Sequence, residues 1–168
     1  MDTEKRKDFI FSDEYRLQTC ANVTRLVRHP KNCKYGMNHV VQTKKYGGLH
    51  IIVWGTIKGD GSRILVRCPR RLNSTAYQNV LVAGLFQVYD SNSIFVQDNA
   101  PYHKSELTMK YLEKKHICIL SDLPHQSPDI NIIENLWSIL KSKVDKRSPK
   151  STSELWKSIE EKFYSISL

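Results

Sequence analysis

No two cysteines of this chain stand at metal-binding spacing. Cys20, Cys33, Cys68 and Cys118 lie far apart with no CxxC pair, which argues against a structural zinc site and for four free thiols. No apolar run approaches the roughly 20 residues needed to cross a bilayer, so no membrane association is expected. The opening MDTEKRKDF is charged and lacks the apolar centre of a secretory signal, so a reducing compartment is expected. Internal repeats and low-complexity tracts are also missing, which argues against solenoid and disordered classes. Acidic residues are in short supply, 17 against 26 Lys and Arg, for a formal charge of +9. Such an excess favours a polyanionic partner through counterion release, nucleic acid first of all, and its other reading is a solvated basic surface.

What is present points to one globular domain. The 168 residues are 40% hydrophobic, with three Trp and eight Tyr, enough to form a core without cross-links. Phe9-Ile10-Phe11 reads as a buried strand, with Ser12, Asp13 and Glu14 at its C-terminal end. Residues 22–45 are basic and polar with little periodicity and read as irregular strand and loop. LHIIVWGTI (residues 49–57) is rich in β-branched and aromatic residues, and KGDGS (residues 58–62) supplies turn chemistry before Ile64-Leu65-Val66, which makes an antiparallel hairpin. Residues 73–86 follow a helical period through Tyr77, Val80, Leu81 and Leu85, and residues 93–97 form a short apolar strand that ends at Asp98.

Residues 104–116 form a charged amphipathic helix and Ile117 to Leu120 a strand, which completes a strand-helix-strand crossover with parallel pairing. Asn131 can cap a helix whose stripe is Ile133, Leu136, Trp137, Leu140 and Val144 and whose first turn holds Glu134. A last helix opens on the capping box Ser151-x-x-Glu154 and carries Leu155, Trp156, Ile159 and Phe163. The expected architecture is α/β, a mixed sheet with helices packed against it.

Two carboxylates thus close strands, Asp13 and Asp98, and a third, Glu134, opens a helix. Ligands collect where the strands of α/β sheets end, so residues remote in sequence can converge there. Three hard oxygen donors are what a site needs to anchor two Mg²⁺ ions for phosphodiester cleavage, with no Ser, Cys or His nucleophile. Spacing alone is a weak warrant, because 17 acidic residues offer many triples and most acids serve salt bridges or the surface. Glu134 also has a bland reading as the N3 capping partner of Asn131.

Four blocks sharpen the choice: FSDE (residues 11–14), VWG (53–55), QDNAPYH (97–103) and QSPDINIIENLW (126–137). In content and order they resemble the blocks of the mariner superfamily of transposases, nearer its Tc-one branch. The resemblance implies a ribonuclease-H-like fold with a mixed five-stranded sheet, and DDE endonuclease and strand-transfer chemistry in DNA transposition and integration. It places the catalytic metal ligands on Asp13, Asp98 and Glu134, holding two Mg²⁺ ions for which Mn²⁺ can substitute. The partners it implies are DNA, as transposon ends and target, and a second copy of the chain in a homodimer, and the compartment is the nucleus.

Asn99 and His103 match family positions near the site. Their roles divide between orienting phosphate or metal-bound water and ordinary turn capping and hydrogen bonding. Glu14 falls on the other strand face and reads as a salt-bridged neighbour rather than a ligand. Trp54 and Trp137 read as core.

The chain departs from the family pattern in places. Asp98 and Glu134 are separated by 35 residues, one more than the commonest spacing. Ile132 stands where the family usually has Pro, and Leu123 where it has Trp. The family's N-terminal helix-turn-helix modules and C-terminal end have no counterpart here, so a lone catalytic domain is expected. Two rival readings are a truncated or host-adapted, non-catalytic nucleic-acid-binding remnant and a nuclease acting on RNA or hybrids, which lacks the QDNAP and IENLW blocks.

Overall fold

A computed structural model of the protein describes residues 5–19, 49–120 and 132–167. The stretch at 22–45, Cys20, Cys33, Leu123, the first half of the QSPDINIIENLW block and the Asn131 cap lie outside the described residues.

The first strand, β1 (Phe9–Gln18), pairs antiparallel with β2 (His50–Lys58) along its whole usable length, from Ile10 opposite Lys58 to Gln18 opposite His50. It is longer than its apolar start suggests and places Asp13 in mid-strand. Tyr15 and Leu17 carry the alternation on past the carboxylates, and both join the same core cluster. β2 turns into β3 (Arg63–Arg67) through the expected hairpin, where Gly61 takes φ +92°, a left-handed value at which a Cβ would be strained. Asp60 Oδ1 accepts the Ser62 N–H at 2.7 Å and fixes the turn.

Beyond the hairpin, α1 (Ser74–Ala83) starts at Asn73, whose side chain accepts the Ala76 N–H at 2.8 Å, and stops at Gly84. A Cβ on Gly84 would lie 2.3 Å from the Trp54 ring, so glycine lets the chain run against the sheet there. β4 (Ile94–Val96) then pairs parallel with β1. Next comes α2 (Glu106–Lys114), capped by Ser105, and His116 leaves it at φ +55°.

Among the described residues the sheet order is β3-β2-β1-β4, four strands rather than five. The expected fifth, at residues 117–120, is reduced to one parallel bridge between Phe95 and Ile119, with Phe95 N–H donating to Cys118 O at 2.7 Å and Leu120 N–H to Phe95 O at 2.9 Å. β4 is only three residues long, so it offers the next strand a single position to pair with.

Two helices cover each face, as a half-buried sheet requires. On one face α3 (Ile132–Asp145) and α4 (Thr152–Tyr164) bury Ile133, Leu136, Trp137, Leu140, Leu155, Ile159 and Phe163 against Leu17, Ile51, Val53 and Ile57. On the other, Tyr77, Val80, Leu81 and Leu112 of α1 and α2 pack on Ile10, Trp54 and Phe95. α4 is capped by Ser151, whose Oγ accepts the Glu154 N–H at 3.1 Å. The Glu154 carboxylate reaches back one residue further than a standard capping box, to the Lys150 N–H at 2.9 Å.

Candidate active site

The β1–β4 register builds the site. Phe11 opposite Val96 is the last parallel pair, and two residues further along each chain come Asp13 and Asp98, at the level where the strands part. Both acids thus follow just past the last parallel pair, near enough for the Asp98 charge to act on Asp13, although 84 residues separate them in sequence. Ser12 ties the junction by donating its buried hydroxyl to Val96 O at 3.1 Å.

Asp13 faces α3. Its Oδ2 accepts the indole N–H of Trp137 at 3.0 Å. Burial, then the neighbouring Glu14 charge and, more weakly, that of Asp98 push its carboxyl up to about 6, against the lowering effect of the indole bond.

Glu14, one residue on, faces the α1–α2 side, as strand alternation demands. There it meets His103, which is 1% exposed and bonded through both ring nitrogens. Nε2 lies 3.1 Å from Glu14 Oε1, and Nδ1 lies 2.6 Å from Asp98 Oδ1 and 3.1 Å from the Asp98 carbonyl. With carboxylates at both nitrogens the ring carries both protons. Burial opposes that charge, but the bonds to Asp98 and Glu14 outweigh it and lift the imidazole to about 9. In return the His103 bond, helped by the Ala100 N–H at 2.9 Å, holds Asp98 below the usual carboxylate range against its burial. The Tyr77 ring, 4.3 Å from the imidazole between centroids, closes the far side.

Asp98 itself stays open, its side chain 61% exposed, so one oxygen is pinned while the group faces solvent. Asn99 follows it in the exposed loop after β4. Glu134 is exposed in the first turn of α3, one helical turn before Trp137. The helix end that carries it is thus fastened to β1 by the bond between Trp137 and Asp13.

Among the described residues one cluster of donor atoms is close-set enough to share a cation. Ligand atoms of Glu14, Asp98 and His103 lie within 4.8 Å of one another and could hold a metal ion. Both nitrogens of His103 already serve carboxylates, so a cation taken there would displace a ring proton and one of those bonds. Asp13, Asp98 and Glu134 carry hard oxygens of the kind a divalent cation takes; the Asp98 charge is felt at Asp13, and Glu134 stands one turn before Trp137 on α3. By donor type these three residues suit a hard divalent ion.

Sequence reasoning treated Trp137 as core alone and left His103 between two roles. The signal that links Trp137 to Asp13 is Gly55, which lies opposite Asp13 in the register and inside the VWG block. A glycine amid β-branched strand residues marks a close approach.

The sequence matches the model of the DDE superfamily endonuclease family over residues 8–156. It is 31% identical over 133 residues to the transposable element Tcb2 transposase of Caenorhabditis briggsae, which covers 76% of this chain and 48% of that protein. It is 34% identical over 141 residues to the transposable element Tc3 transposase of Caenorhabditis elegans, covering 78% and 40%. The chain thus spans about half the length of the curated relatives it matches, or less. Its fold is that of the Mos1 transposase in a paired-end complex with the left transposon end, with a TM-score of 0.74 at 18% identity over 96% of this chain and 49% of that one. The architecture is therefore the ribonuclease-H-like fold expected from the sequence.

Proposed function

We propose that this chain, which belongs to the DDE superfamily endonucleases, is the catalytic domain of a Tc-one/mariner-like transposase and cleaves DNA phosphodiesters in preparation for strand transfer. The reading is supported by the register, which ends its parallel pairing two residues before both Asp13 and Asp98, with Glu134 one turn from the residue bonded to Asp13.

Asp13, Asp98 and Glu134 are the proposed ligands of two Mg²⁺ ions, with Mn²⁺ able to replace them. When bound, the ions supply charge stabilisation at the attacking and leaving oxygens of an in-line displacement. The chain's own residues do the rest by position. Asp98 offers its solvent-facing carboxylate, and His103 keeps the other edge of that carboxylate fixed and cannot itself reach substrate from its buried seat. Glu14 holds the second nitrogen of His103 and prevents the ring from turning. Transposon ends and target DNA are the proposed substrates, a homodimer the working form and the nucleus the compartment. Lysine and arginine excess over acids, at +9, supports a polyanionic substrate.

The test is nicking of supercoiled plasmid with Mg²⁺ or Mn²⁺, comparing the parent with Asp98→Asn. The amide keeps the shape and removes the charge, so folding persists and cleavage is lost. Cleavage unchanged by the substitution excludes the mechanism. A parent inert with both metals favours the non-catalytic nucleic-acid-binding alternative.

A further inference from the structure

We infer that Trp137 is the positioning residue for Asp13: its indole N–H sets the direction of that carboxylate, and its ring seats the helix that carries Glu134. The inference rests on the proposed metal site and names a residue that site does not include.

The geometry leaves the ring one orientation. Trp137 is 2% exposed. Tyr15 stacks on it with centroids 5.4 Å apart and planes 10° from parallel, and Phe163 packs 5.9 Å away at 33°. Below it the sheet opens a slot: a Cβ on Gly55 would sit 2.4 Å from Cη2 and 2.8 Å from Cζ2 of the indole. Only glycine lets the benzo edge drop to the backbone of β2 at this point. Gly55 is the residue directly across the ladder from Asp13, so an indole seated there brings its N–H to Asp13 Oδ2 at 3.0 Å.

Packing alone would not need that nitrogen. A phenyl ring or a sulfur heterocycle also fills an apolar slot, but neither donates a hydrogen bond to a carboxylate. Because Trp137 follows Glu134 by one turn on α3, the same ring fixes how far α3 stands from β1. Removing the N–H should free Asp13 to swing and so weaken cation binding, as loss of a partner to a ligating group does by roughly 10- to 100-fold.

The test replaces Trp137 with β-(3-benzothienyl)alanine, which preserves the bicyclic shape and lacks the N–H, alongside Trp137→Phe. Mn²⁺ binding is followed by water proton relaxation without DNA, with the thermal midpoint in chelator and nicking kinetics measured in parallel. The expected result is Mn²⁺ affinity down by about tenfold or more and kcat reduced with KM for plasmid unchanged, while the isostere's metal-free thermal midpoint stays within a few degrees of the parent. An isostere that folds and binds Mn²⁺ as tightly as the parent overturns the inference. If Trp137→Phe does not fold, the isostere decides alone. Mn²⁺ binding indifferent to Asp13→Asn would instead sink the metal-site reading, whereas binding lost in Asp13→Asn and unchanged in the isostere sinks only the role of Trp137.

Discussion

Asp13 and Glu14 are neighbours in β1 that serve opposite faces of the sheet, Asp13 accepting a bond from Trp137 of α3 and Glu14 meeting His103 beside α2. Each of the two acidic groups at the strand junction, Asp13 and Asp98, is thereby held by one ring donor, and the donors come from different faces. Neither donor is interchangeable with a packing residue, and each predicts a loss that burial alone would not.

His103→Phe keeps an aromatic against Tyr77 but removes both bonds. It should lower nicking by roughly 10- to 100-fold, and Glu14→Gln, which leaves His103 a neutral acceptor at Nε2, should lie between that variant and the parent. The check is single-turnover cleavage together with Mn²⁺ affinity. Equal rates in all three proteins would mean that Asp98 needs no orienting partner.

Asp13→Asn should be a function-for-stability exchange. The Asp13 carboxyl titrates near 6 in the fold against 3.8 for the free group, so ionising it costs native stability as pH rises from about 4 through 6. Removing the charge should therefore raise native stability at pH 8 by an amount on the order of 1 kcal/mol once solvent screening is allowed for, read as a higher metal-free thermal midpoint. Added Mn²⁺ should stabilise the parent by mass action and leave the variant unmoved. A variant less stable than the parent in chelator would show that the Trp137 bond outweighs the charge.

How much of this was legible beforehand differs by layer. The hairpin, α4 and its Ser151 cap, and the stripe from Ile133 to Val144 follow from short-range periodicity and turn chemistry, which depend on residues within a few positions of one another. Asp98 was legible as a strand-end acid, whereas Asp13 falls in mid-strand because Tyr15 and Leu17 extend β1, and its level relative to Asp98 depends on a parallel register that no local pattern encodes. The fifth strand at residues 117–120 was over-read, because an apolar tetrapeptide shows β propensity whatever the length of its neighbour, and three-residue β4 leaves it one bridge. The roles of Trp137 and His103 stayed hidden since an aromatic on an apolar face looks the same whether or not its N–H has an acceptor.

Outside the site, Lys58 tests the fold. Its side chain is 8% exposed, and its ammonium is paired with Asp90 at the loop before β4. The Lys58 hydrogen bond, then that from Ser93, holds Asp90 down to about 2. A depressed carboxylate stabilises above its unfolded value of 3.8 and loses that contribution as pH falls through 2. Asp90→Asn should lower the thermal midpoint by several degrees at pH 7, since it strands a buried ammonium, and the gap from the parent should close between pH 4 and pH 2. Lys58→Met should recover most of the loss in the double variant, because it removes the unpaired charge. A gap that persists at pH 2 would place the effect in Asp90's bonds to the turn, through Ser93 and the Asn92 N–H, rather than in the ion pair.

DNA binding should be carried by phosphates. The chain has an excess of 9 positive charges, and the helices of the described residues pack their apolar stripes on the sheet instead of projecting as a pair of recognition helices. Counterion release then supplies most of the affinity, which should fall steeply between about 50 and 200 mM salt. Base edges go largely unread, so an element's terminal repeat and a scrambled duplex of equal length should bind alike. A fluorescence-anisotropy titration at several salt concentrations measures both. Preference for the terminal repeat on the order of 10³, typical of specific readers, would assign base recognition to this domain. Affinity insensitive to salt would return the positive charge to a solvated surface and remove its support for a nucleic-acid substrate. The metal site would then stand on the register of Asp13 and Asp98 alone.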